Sequence, residues 1–150
     1  MSTQYTRLLQ FSRQFGKFYA YQFAPFLERT GLSMREVHVL LFLINNPRCD
    51  TARDVADLRG LAKSQVSQAV ELLSARGLLQ RAADETDRRV IHLTLTEAGT
   101  VLAARAQRIQ TACGGSLLEG LTSEEEKEFS RLLAKVFARA EQLMEKERAE

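Results

Sequence analysis

Cysteine and histidine are scarce: Cys49, Cys113, His38 and His92 are the only ones among 150 residues. Two cysteines far apart, with no export signal ahead of them, exclude a disulfide scaffold and read as free thiols. The histidines stand over fifty residues apart and the cysteines lack ligand spacing, so no metal centre is expected, and no cofactor. No apolar run approaches the roughly 20 residues that span a bilayer, and MSTQYTRLLQFSRQFGKF has no continuous apolar signal core. The chain is therefore expected in the cytoplasm, away from membranes. There is no phosphate-cradling glycine loop, no nucleophile elbow and no histidine with a suggestive partner, which argues against an enzyme.

Strong net charge is lacking as well. The total of +2 cannot argue for a nucleic-acid partner, so its distribution has to. Residues 1–47 carry +3, 48–92 carry +1, 93–118 carry +1 and 119–150 carry −3. An acidic C-terminal segment behind a mildly basic remainder permits DNA binding without requiring it. What the chain does have is an ordinary folded composition, 45% hydrophobic and 27% charged, at a length that fits one domain.

Periodicity orders the elements. Leu8, Phe11, Phe15, Phe18, Tyr19 and Phe26 lie on one stripe of a first helix from Tyr5, which Pro25 should kink or end and Gly31 should break. Ser33 with Glu36 has the capping-box pattern for a second helix carried by Val37, Leu40, Leu41 and Ile44 and stopped by Asn45-Asn46-Pro47. Thr51 with Asp54 caps a short third, facing Ala52, Val55, Ala56 and Leu58 inward and ending at Gly60. Ser64 is expected to cap a fourth, which buries Val66, Ala69, Val70 and Leu73 and ends at Gly77. The period then drops to two: Leu79–Arg81 and Val90–Leu95 read as a hairpin around residues 83–89. A helix from Thr96-Glu97-Ala98-Gly99, carried by Val101, Leu102, Ala106 and Ile109, and one from Thr122-Ser123, carrying Phe129, Leu132, Leu133, Val136 and Leu143, complete the chain.

The fold class is thus mainly α with a small β-hairpin wing, a winged helix-turn-helix between N- and C-terminal helices. The fourth helix suits the DNA major groove, which a helix reads through side chains near its N-terminus; here these are Lys63, Ser64, Gln65, Ser67 and Gln68. The hairpin tip DETDRR suits the adjacent minor groove, with Arg88 and Arg89 as probes and Asp84 or Asp87 orienting a guanidinium through a bidentate pair.

Those residues resemble the MarR-type winged-helix transcription regulators. The resemblance runs through LSMREVHVLLFL, TARDVADLRGLAKSQVSQAVELLSARGLLQR, the wing DETDRR and LTLTEAGTVL, and its most specific part is a DxxDRR wing followed by LTxxG behind a (K/R)SxVS helix. It implies one domain over 1–150, with a DNA-binding lobe at 32–95 and dimerisation helices at 1–31 and 96–150. It implies further a homodimeric regulator, acting as a repressor, on palindromic double-stranded DNA and relieved by a small-molecule or redox signal. Gln68 stands where the family often has arginine and Leu72 where it is often basic, which points to a different base preference and lower phosphate affinity. Family effector pockets lie between the dimerisation helices and the DNA-binding lobe, which nominates Phe18, Tyr21, His38 and Phe42 for a small aromatic or amphipathic effector. Cys49, beside Asp50, is the candidate for oxidation sensing. The reading from another class is a winged-helix protein-interaction or scaffold module with weak DNA binding, which the modest charge and the missing arginine would suit.

Overall fold

A computed structural model describes residues 2–149, with side chains from Thr3 onward. The assigned domain bounds at Met1 and Glu150 lie outside the described residues. The order is α1 (Ser2–Thr30), α2 (Met34–Asn45), α3 (Ala52–Arg59), α4 (Lys63–Ala75), β1 (Leu79–Ala83), β2 (Ile91–Leu95), α5 (Glu97–Leu118) and α6 (Ser123–Ala149). The structure is mainly helical, with a two-stranded antiparallel hairpin in register from Leu79↔Leu95 to Ala83↔Ile91. Two compact units divide it, one running to Cys113 and one starting at Gly114.

The first unit has the core. Phe23, Val37, Leu40, Leu41, Val55, Val66 and Leu73 are almost wholly buried, so α1, α2, α3 and α4 each press an apolar face into one cluster that Leu79 and Leu93 of the hairpin extend. Local chemistry fixes where the helices start. The Ser33 hydroxyl accepts from the Glu36 amide and donates to its carboxylate at 2.8 Å. Thr51 and Asp54 form a reciprocal capping box, each side chain accepting the other's amide at 3.1 Å. Gly31, Gly60 and Gly77 take positive φ at helix ends, where a side chain would be strained.

The LTxxG stretch has a mechanical reading. The Thr96 hydroxyl donates to the Gly77 carbonyl at 2.7 Å and accepts from the Gly99 amide, while the Thr96 amide donates to the Leu78 carbonyl at 3.1 Å. A Cβ on Gly99 would lie 1.9 Å from that Leu78 oxygen, so only glycine lets α5 start there.

Several expectations need correcting. α1 does not end at Pro25 but runs to Thr30. The missing amide orphans one carbonyl, that of Tyr21, on a residue exposed to water, while buried Phe23 and Phe26 anchor the helix on either side. Ser64 does not cap α4: the helix begins at Lys63 with Ala62 at the cap, which puts Ser64 inside the first turn, and the Gln65 side chain accepts from the Ala62 amide instead. Leu58 is 65% exposed, since it follows Ala56 by two residues, about 200° round the helix, and faces away from the core. Val101 is exposed too; the buried stripe of α5 is Gly99, Ala103, Ala106 and Cys113, with Leu102 and Ile109 half-buried beside it.

The second unit contains the last residues of α5 and the whole of α6. The Thr122 hydroxyl accepts from the Glu125 amide and the Glu125 carboxylate from the Thr122 amide, a capping box, and Glu128 pairs with Arg131 in two contacts of 2.6 and 2.8 Å. Phe129, Leu132, Val136, Phe137, Leu143 and Met144 are exposed along the helix. Among the described residues no helix is long and apolar enough to cross a membrane.

Candidate nucleic-acid interface

α4 divides cleanly. Val66, Ala69, Val70 and Leu73 are buried, while Lys63, Ser64, Ser67, Gln68, Glu71 and Leu72 are exposed. Lys63, Ser64, Ser67 and Gln68 fall at i, i+1, i+4 and i+5, which places all four on one open face of the helix. Gln65 is half-buried and partly occupied by its bond to Ala62. Beside Lys63, a shallow recess of about 240 Å³ is lined by Ala52 and Arg53 of α3, and Arg53 makes a 3.7 Å ion pair with Asp57. Arg53 escaped the sequence reading, because in sequence it is one more charged residue on a helix surface.

The wing is held by two aspartates with separate tasks. Asp84 Oδ2 accepts from the Thr86 amide, the Thr86 hydroxyl and the Asp87 amide at 2.7–3.0 Å, folding the loop on itself. Asp87 accepts from the Arg89 amide and Nε at 3.1 Å and from Nη2 at 3.3 Å, so Asp87 rather than Asp84 forms the bidentate pair. The Arg89 contacts hold the Asp87 carboxyl below its ordinary range. Although clamped, the Arg89 side chain is 91% exposed, a cation displayed in a fixed direction, and Arg88 beside it is also exposed.

No partner of His92 is legible in the sequence, yet it has two. Its Nδ1 lies 2.7 Å from Asp50 Oδ1 and its Nε2 2.7 Å from Asp84 Oδ1. Both carboxylates, Asp50 more strongly, raise the His92 pKa above 6.5, and the His92 bond is the largest cause of a depressed Asp84 pKa. The backbone joins the same groups: Thr51 and His92 form an isolated antiparallel bridge, and the Leu93 amide donates to the Asp50 carbonyl at 2.7 Å.

Of the four residues nominated for an effector, Phe42 lines a recess of about 240 Å³ shared with Asn45, Asn46, Leu58, Arg59 and Gln110. Its polar wall is prearranged: Gln107 donates to Asn45, Asn45 to Gln110, and Gln110 to the Tyr19 hydroxyl. Burial raises the Tyr19 pKa and lowers that of His38, with the Arg59 charge a smaller cause acting on both. Tyr21 is 74% exposed, and Phe18 belongs to an aromatic ladder, its ring 6.4 Å from that of Phe15. That ladder is core at its C-terminal end, Phe23 and Phe26, and exposed at Phe11. Cys49 is half-buried against the core, and Cys113 is buried, which raises its thiol pKa.

A capped short helix, a turn, an open-faced second helix and a hairpin compose a winged helix-turn-helix. The MarR family profile matches residues 30–90, from the end of α1 through the wing loop. Among curated proteins, the HTH-type transcriptional repressor Rv2887 of Mycobacterium tuberculosis is 28% identical over 110 residues, 73% of this chain and 78% of the relative. CouR of Rhodococcus jostii, solved bound to p-coumaroyl-CoA, superposes with a TM-score of 0.67 at 29% identity, covering 85% of this chain and 88% of that one. BpsR of Bordetella bronchiseptica, whose DNA binding is regulated by 6-hydroxynicotinic acid, gives a TM-score of 0.65 at 26% identity, covering 89% and 98%. Over the DNA-binding lobe that the profile covers, the chain is similar to the MarR-family winged-helix transcriptional regulators.

Proposed function

We propose that the chain is a homodimeric repressor, cytoplasmic like the DNA it reads, that binds a palindromic operator and releases it on a small-molecule signal. The observation that carries this reading is the clamped, outward-facing Arg89 on the same lobe as the open α4 face. Lys63 and Ser64 contact phosphate, Ser67 and Gln68 read base edges in the major groove, Gln65 steadies the helix start, and Arg88 and Arg89 enter the minor groove, Arg89 braced by Asp87. The exposed apolar residues of α6 are the dimer surface. Mycobacterial Rv2887 is named a repressor, which favours repression over activation here.

The effector site is the Phe42 recess. At about 240 Å³ it lies below the usual range for drug-sized ligands and suits a one-ring compound. Arg59 would take the carboxylate of an aromatic acid, and Phe42 and Leu58 its ring, which is consistent with the one-ring acid that regulates BpsR.

Selection of binding sites from random-sequence duplex, followed by salt titration, tests the reading. A two-fold symmetric motif with half-sites about one helical turn apart, bound less tightly as salt rises, is the expected outcome. Arg89→Ala should weaken binding strongly, and Gln68→Ala should change base preference, each base contact being worth about 1–3 kcal/mol. Failure of folded dimer to enrich any motif at low salt, with and without one-ring aromatic acids, would favour a protein-interaction module.

A further inference from the structure

His92 joins parts of the lobe that are far apart in sequence. Asp50 lies in the turn before α3, Asp84 at the start of the wing loop, and His92 on β2 between them, 2.7 Å from each carboxylate. A neutral imidazole has one donor and one acceptor nitrogen, so between two carboxylates one contact would set acceptor against acceptor. The imidazolium donates to both, and each bond is then charge-assisted.

The grip reaches the wing tip through few steps. The Asp84 carboxylate that His92 holds through Oδ1 organises the loop through Oδ2, bonding Thr86 and Asp87. Asp87 in turn fixes Arg89. Backbone bonds between Asp50 and Leu93, and the Thr51–His92 bridge, hold β2 in place without the imidazole, so the side chain is left to control the wing loop. The charged groups that face His92 are Asp50 from the α2–α3 connection and Asp84 from the hairpin. Asp87 and Arg89 act one step further through Asp84, and Asp54 of α3 is engaged with the Thr51 amide.

We propose that His92 is a positioning residue for the wing, an imidazolium clasp between Asp50 and Asp84 that aims Arg89, so that DNA binding tightens when His92 is protonated and slackens when it loses its proton. This rests on the proposed role of Arg89 at DNA. The sign follows from the two partners. A histidine whose pKa is raised in the folded state contributes fully below 6.5, and its contribution is lost as pH rises through the raised value. Asp84, shifted the other way, contributes above the ordinary carboxylate pKa of 3.8 and loses its effect in acid. The clasp is complete between those limits.

The test pairs an NMR titration of the two imidazoles with affinity for a duplex enriched from random sequence, on wild type, His92→Gln, Asp50→Asn and Arg89→Ala. The His92 midpoint should lie above 6.5 in wild type and fall in Asp50→Asn, a variant that leaves β2 and the histidine untouched. Wild-type affinity should drop about tenfold from pH 6 to pH 9, while His92→Gln stays flat near the high-pH value. A His92 midpoint at or below 6.5, or equal pH profiles in wild type and His92→Gln, overturns the proposal. Should Arg89→Ala bind as wild type does, or no duplex be enriched, the DNA role of the wing has failed. The amide shifts of Thr86, Asp87 and Arg89 then decide alone: following the His92 midpoint in wild type but not in His92→Gln supports the clasp, and indifference to it overturns the clasp.

Discussion

α2 and α6 have apolar residues at the same helical spacing and meet opposite fates. Seven of the twelve residues of α2 are buried, among them Val37, Leu40 and Leu41 at almost zero exposure. α6, at 27 residues, has none buried, and Phe129, Leu132, Val136 and Phe137 stay 44–58% exposed. Periodicity therefore identifies a face and leaves open what covers it. α2 is finished within its own lobe, and α6 presents a surface left for the proposed second copy to complete.

The contrast can be broken from the α2 side first. Leu40→Ala should cost about 2–5 kcal/mol, a transfer loss plus a cavity, read as a lower midpoint in urea unfolding with an unchanged slope. Gly99→Ala comes next: its Cβ meets backbone rather than a flexible side chain, so about 1–3 kcal/mol should go, by the same measurement. On α6 the double substitution Val136→Glu with Phe137→Glu should change protomer stability by about 0.5 kcal/mol or less, as exposed positions do. In sedimentation equilibrium the same variant should run as monomer where wild type runs as dimer; a dimer retained would show that α6 is not the surface covered.

The smallest effect separates the two histidines. Burial depresses the His38 pKa, so the unfolded chain binds a proton before the folded one does, and stability should rise with pH up to about 6.5. His92 has the opposite slope, falling as pH rises above 6.5. Urea midpoints between pH 5 and 9 for wild type and His38→Gln should differ below 6.5 and run parallel above it.

How far the sequence carried this description depended on range. Caps at Ser33 and Thr51, the glycine stops, the buried face of α4 and the hairpin were legible because each is decided within a few neighbouring residues. Ser64 misled for a reason just as local, a start one residue earlier than the serine invites, and Pro25 because buried phenylalanines outweigh one lost hydrogen bond. Asp87 as the partner of Arg89 was one of two readable choices. The Asp50–His92–Asp84 arrangement was not readable, since strand register and an isolated bridge bring its members together across 42 residues. Arg59 joins Phe42, Asn45 and Gln110 in the same way, through packing that no spacing announces.

The fastening of Thr96 onto Gly77 and Leu78 also bears on how such a lobe diversifies. Because the hairpin is buckled at its root, residues added to or removed from the tip need not shift where α5 begins. Doubling a flexible loop costs only about 0.6 kcal/mol in closure entropy. The tip can therefore change length and reach from one descendant to another while α5 keeps its starting point, and a new binding specificity need not disturb how the protein assembles.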